Sequence, residues 1–195
     1  AMASDRFDKQ IAFLLAIDKS KEVIRQTYLA DKSRLENDAE HAWHAAVMAI
    51  VFAEYFPKAD LKKTLMMMLT HDLVEVFAGD TYCYDEAGNA TKAQREMEAA
   101  QRLYGLLPED QKEMFFSLWR EFEEGQSEEA KFCAILDRVQ PTMLNDAAGW
   151  ISWKEHEVKK AQVEQRNAIT FAGPAEIAAY MRGIIEAAHQ SGVLK

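Results

Sequence analysis

A chain of 195 residues, 49% hydrophobic and 28% charged, is long enough to bury a sizeable core within one domain and has the composition of an ordinary globular protein. Its formal net charge of −9 repels phosphate backbones and anionic surfaces, so neither a nucleic-acid duplex nor a membrane is an expected partner. A small anion held by local charge or by a metal stays open. Cys83 and Cys133 lie far apart without a CxxC spacing, which fits packing roles in a reducing compartment better than a disulfide framework. The opening AMASDRFDKQ is polar rather than a secretory leader, and no window reaches the roughly 18 apolar residues of a membrane span. The expected location is the cytoplasm, and Ala1 to Ala3 are set aside from fold reasoning.

Hydrophobic periodicity gives helix after helix and no stretch that alternates over the length of a half-buried strand, so the expected fold is all-α in one domain, residues 1–195. A first helix is expected from Asp5 to Leu29, with Phe7, Ile11, Leu14, Leu15, Val23 and Ile24 on one broad face. A second starts at Asn37 or Asp38, both suitable caps, and runs through Ala46, Ile50 and Ala53 until Pro57 stops it. A third spans Asp60 to Ala78 and ends at Gly79. The segment TYCYDEAGNA reads as a surface loop, after which Thr91 caps KAQREMEAAQRLYGLL. Pro108 opens a helix closed by Gly125. The next, from about Ser127 to Ala148, contains Pro141 and is expected to kink there. Gly173 and Pro174 precede a last helix, about 174–190, that frays into HQSGVLK.

The run LKKTLMMMLTHDLVEVF is apolar almost all round at its middle, as in a helix buried inside a bundle, so His71, Asp72 and Glu75 need partners for their charge. Residues 71 and 75 lie one turn apart, and 72 and 75 share a face, which lets the three polar groups converge. A buried hydrogen-bond network and a divalent metal both meet that demand. His41 and His44, three apart on the preceding helix, each offer an imidazole. Asp137 is an acid among Ile135, Leu136 and Val139, where a plain ion pair with a neighbouring helix would also satisfy it. Two imidazoles and two carboxylates from three helices suit a borderline divalent metal with open water positions. GWISWKEHEV, with Trp150, Trp153, Lys154 and His156, fits either a pocket wall or a packed connection.

In order, His41, His71-Asp72 and Asp137 resemble the H…HD…D signature of the HD-domain metal-dependent phosphohydrolases. RLENDAEHAWHAAVMAI, THDLVEVFAGD and AILDRVQPTMLNDAAGWISWKEHEV are similar to a subgroup related to bacterial 5'-deoxynucleotidases, over about residues 20–168. The resemblance implies an HD-domain helical bundle in which His41, His71, Asp72 and Asp137 bind one divalent metal cation, drawn from Mn, Co, Zn, Ni, Fe and Mg. It implies catalytic roles for Glu75 and for Asp80, and contact of Arg25 with the substrate phosphate, with Arg34 the second candidate. No histidine lies between Asp72 and Asp137, which separates the chain from binuclear HD proteins. Val76 after Glu75 separates it from guanosine-tetraphosphate hydrolases, which carry Glu-Asp there. The expected function is release of phosphate from nucleoside 5'-monophosphates by a metal-activated water, with a small phosphorylated substrate and a second copy in a homodimer as partners. A non-catalytic metal- or nucleotide-binding sensor, and a phosphatase for another small ester, are the alternatives.

Overall fold

In the computed structural model, which describes residues 5–195, helices carry most of the regular structure, as the all-α reading expects. Ala1 to Ala3 lie outside the described residues. The first expected helix is shorter than its periodicity implies: α1 covers Asp5–Ile17, followed by a 3-10 turn at Asp18–Lys21. β1 (Ile24–Tyr28) then pairs antiparallel with β2 (Leu35–Asn37), correcting the expectation of a strand-free chain. The reason is local. Val23, Ile24, Thr27 and Tyr28 are β-branched or aromatic, and Asp31 closes the turn by accepting from the Ser33 amide at 2.9 Å while Lys32 takes a left-handed φ of 66°. The α1 face is also corrected, since Ile11, Leu14 and Leu15 are exposed and Phe13 is the residue it buries.

α2 (Asp38–Phe52) begins at a full capping box, in which the Glu40 amide donates to Asn37 Oδ1 at 2.9 Å and the Asn37 amide to Glu40 Oε2 at 3.1 Å. α3 (Leu61–Thr70) is capped by Asp60 but stops short of the expected Ala78. Residues 71–74 form turns, and α4 (Glu75–Ala78) follows, ending at Gly79 with φ of 77°. Contacts three residues apart replace the helical ladder here: the Glu75 amide donates to the Asp72 carbonyl at 2.9 Å and Phe77 to Val74 at 3.1 Å. The His71 and Asp72 pair therefore stands at a break between helices, not in the middle of one.

α5 (Glu86–Tyr104) starts five residues before the expected Thr91, because Asp85 caps it through the Gly88 amide. α6 (Glu109–Glu124) takes Pro108 as its cap residue and ends at left-handed Gly125. α7 (Glu128–Ala147) runs through Pro141. Proline has no amide hydrogen, so the carbonyl four residues back, that of Asp137, is freed within the helix. α8 (Ile151–Glu155), α9 (Lys160–Arg166) and α10 (Ala168–Phe171) lead to α11 (Ala175–Gln190). The C-terminal tail docks rather than frays: Leu194 is buried, its carbonyl is 2.8 Å from His189 Nδ1, and the Lys160 amide donates to the Lys195 carbonyl.

α7 is the axis of the core. Phe132, Cys133, Leu136 and Val139 pack against Ala45 and Ala49 of α2, Met67 and Met68 of α3, and Met181 of α11. A second cluster joins Phe13, Val74, Leu103, Tyr104 and Trp119, and a third joins Trp153, Val163, Ile185 and Leu194. Burial of apolar surface at about 25 cal/mol per Å² clamps α2, α3 and α7 together, and the polar side chains of interest sit where those three meet.

Candidate metal centre

α2 supplies His41, the break after α3 supplies His71 and Asp72, and α7 supplies Asp137; both imidazoles are buried. His41 Nε2 stands 3.3 Å from Asp137 Oδ1 and 3.9 Å from Asp72 Oδ2. His71 Nε2 stands 3.1 Å from Asp72 Oδ2 and 3.7 Å from Asp137 Oδ1. One donor atom from each of the four lies within 4.8 Å of the others. A cation about 2.0–2.2 Å from each donor requires donor separations of roughly 3–4 Å, so the cradle has the right size.

The tautomers fit as well. His41 Nδ1 is 2.7 Å from Gln140 Oε1, and His71 Nδ1 is 2.8 Å from the Met68 carbonyl. Both oxygens accept, so both Nδ1 atoms donate, which leaves each Nε2 as the ring atom turned to the carboxylates and available to a cation. Those two Nε2 atoms are buried without a hydrogen-bond partner. Orphaned imidazole nitrogens beside two carboxylates are what a divalent cation would satisfy.

Charge tells the same story. Burial opposes the imidazolium form of His71, but Asp72 and Asp137 outweigh it and hold its pKa up at about 10. Burial also opposes ionisation of the two acids, yet His71 and Arg25 hold Asp72, and His41 and His71 hold Asp137, well below the usual carboxylate range. The centre draws positive charge to itself.

Glu75 is buried at the start of α4, and burial, then Asp72 and Asp38, push its carboxyl well above the usual range. Arg25 Nη1 lies 2.9 Å from Asp72 Oδ2 and 3.2 Å from Asp38 Oδ1, with Nε 3.6 Å from Glu36 Oε1. Asp38, Asp72 and Glu75 form a second acidic group close enough to hold an ion, but the Arg25 cation already stands between two of them. Arg25, Asp72, Glu75, Asp80 and Asp137 line one pocket. Asp80 is half-buried, which raises its carboxyl pKa. Arg34 instead forms an exposed pair with Glu40 at 2.9 Å, outside that pocket. Ser152 and Trp153 line the pocket wall, whereas Lys154 turns away to the Gly149 carbonyl at 3.0 Å.

Sequence reasoning missed Glu36, Asp38 and Gln140. Gln140 carries the most structure: its amide oxygen accepts from His41, and Nε2 donates to Glu36 Oε2 at 2.9 Å with His44 Nδ1 at 3.3 Å. His44 is thus an outer partner, not a donor to the centre. The signal for Gln140 was available, since it lies three residues after Asp137 on the same face of an apolar helix. Gln140→Ala is expected to weaken metal binding by about 10- to 100-fold. Metal titration of the purified variant against wild type checks this, and unchanged affinity would refute the role.

The model of the HD domain family matches residues 17–177. This chain belongs to the HD domain family. The mouse protein named 5'-deoxynucleotidase HDDC2 is 31% identical over 131 residues, 67% of this chain and 65% of the relative. The human protein of that name is also 31% identical, over 67% of this chain and 63% of the relative. The match thus spans a little under two thirds of the length of these relatives. The solved structure of a "predicted metal-dependent phosphohydrolase" from Magnetospirillum magnetotacticum MS-1 is 42% identical and covers 97% of this chain and 95% of its own, with a TM-score of 0.90. A conserved hypothetical protein from Pyrococcus furiosus, 20% identical with a TM-score of 0.61 over 92% of this chain and 99% of its own, shares the fold. The helical bundle expected from periodicity is therefore that of HD-domain proteins.

Proposed function

We propose that this HD-domain protein is a phosphohydrolase that releases inorganic phosphate from nucleoside 5'-monophosphates, using one divalent cation held by His41, His71, Asp72 and Asp137. The observation that carries it is the pair of buried, unpartnered Nε2 atoms facing Asp72 and Asp137, beside a pocket lined by His71, Asp72, Asp137, Glu75 and Arg25. The names of the relatives support the reaction and the substrate class. Two imidazoles and two carboxylates suit Mn, Co, Zn, Ni or Fe, and Mg less closely. When bound, such a cation supplies a polarised phosphoryl oxygen and a water of lowered pKa. Arg25 bears on the phosphate, Glu75 moves the proton between water and leaving sugar oxygen, and Asp80 orients the water or a sugar hydroxyl. A purely structural or sensory metal has no need of Glu75 beside it, which favours turnover.

Residues 1–195 form one HD unit in this reading. Exposed Trp43, Val47, Ile50 and Val51 along α2, with Leu69 on α3, support a homodimer, which a monomer in sedimentation equilibrium would refute. We place the protein in the cytoplasm, supported by two free cysteines and by the lack, among the described residues, of a helix long and apolar enough to cross a membrane. Cell fractionation tests that location, and recovery with membranes would contradict it. Phosphate release from a panel of nucleoside 5'- and 3'-monophosphates and sugar phosphates, with each metal added, tests the function. Release from the 5' isomers is expected. No metal-dependent release from any ester would end the proposal, and preference for a sugar phosphate would move it to that ester.

A further inference from the structure

Arg25, Lys92, Arg138 and Arg166 are the lysine and arginine side chains that line the pocket beside His71, Asp72 and Asp137. Three of them are engaged. Arg25 stands among Glu36, Asp38 and Asp72, and Lys92 pairs with Glu96 at 3.4 Å. Arg138 donates Nε to the Arg166 carbonyl at 2.9 Å and Nη1 to the Ala134 carbonyl at 2.6 Å. Arg166 differs. Among the described residues its guanidinium donates no hydrogen bond, and its one ion-pair contact, Nη2 to Asp137 Oδ2 at 3.6 Å, is too long to be one.

Its position is fixed all the same. Arg166 ends α9, its carbonyl is held by Arg138, and the buried side chain of Asn167 donates to the Val163 carbonyl at 2.9 Å. Asp137 turns Oδ1 to the imidazole of His41 and Oδ2 to Arg166, so the guanidinium stands one carboxylate away from the metal donors. A phosphate entering this pocket also meets Glu75, Asp80, Glu96 and Glu123, and Arg25 and Lys92 share their charge with acids. A positioned arginine with unused N–H donors matches a phosphate in both charge and geometry.

We propose that Arg166 is a second phosphate-binding residue, which closes its fork on phosphate oxygens once phosphate occupies the metal-loaded pocket. The ligand rests on the phosphohydrolase reading, but the test needs no turnover. The competing role is a brace that merely positions Asp137. Binding of inorganic phosphate to Mn²⁺-loaded protein, measured by calorimetry beside Mn²⁺ binding to chelated protein, separates the two. Arg166→Gln is expected to weaken phosphate binding roughly 10- to 100-fold, Arg166→Lys to recover part of it, and both to keep Mn²⁺ affinity within about twofold. Unchanged phosphate affinity in Arg166→Gln, loss of Mn²⁺ affinity in step with it, or a wild type that binds no phosphate overturns the proposal. If Arg166→Gln does not fold, Arg166→Lys decides alone: it keeps the charge but loses the fork, so wild-type phosphate affinity there also overturns it. A wild type that binds phosphate yet releases none from any nucleotide would remove the reaction and leave Arg166 standing.

Discussion

Asp72→Ala is expected to lower phosphate release by roughly 10³-fold or more and to strip the protein of its cation. Asp72 Oδ2 is the hub of the centre, 3.1 Å from His71 Nε2, 3.9 Å from His41 Nε2 and 2.9 Å from Arg25 Nη1. Removing it takes away one of four donors and also the nearest of the three acids around Arg25. The same carboxylate is the strongest charge acting on Glu75, so its loss would also resettle that group. Asp72→Asn keeps the shape without the charge and separates the electrostatic part from misfolding. Metal content by elemental analysis, beside kcat, checks both variants; full metal content in Asp72→Ala would show that the cation lies elsewhere.

Glu75→Gln should behave differently. It is expected to lower kcat by about 10²- to 10⁴-fold while metal binding is retained, because Glu75 stands outside the four-donor set. Its Oε2 is buried without a partner, and glutamine fills nearly the same volume, so the fold should tolerate the change. Steady-state kinetics with a metal-binding titration on the same preparation tests this. Less than tenfold loss of kcat would assign proton transfer to another group, and loss of metal would make Glu75 a ligand.

The helical class, the start of α2 at Asn37 or Asp38, the stop at Gly79 and the helix start near Ser127 were legible because each rests on local chemistry visible in a few residues. The hairpin at Ile24–Tyr28 was not, since its β-branched run follows a helical period closely enough to be absorbed into it. The break after Thr70 was hidden for another reason: no Gly or Pro marks it. It coincides with side chains that compete for backbone carbonyls, as Thr70 Oγ1 does at the Met66 carbonyl and His71 Nδ1 at that of Met68. That break is what aims His71 and Asp72 at His41 and Asp137, so the sequence carried the donors but not the turn that gathers them. Arg25 and Arg34 were separable only in space, one beside Asp72 and the other on Glu40. Glu36 and Asp38 left no periodic trace, because a short strand and a helix start place them.

Stepwise addition of Co²⁺ to chelated protein, with phosphate release from 5'-dAMP followed at each step, measures the centre and its chemistry together. The expected rate rises linearly from zero and saturates at one equivalent per chain. Release before any metal is added, a plateau at two equivalents, or no release at saturation would contradict a single catalytic cation held by His41, His71, Asp72 and Asp137.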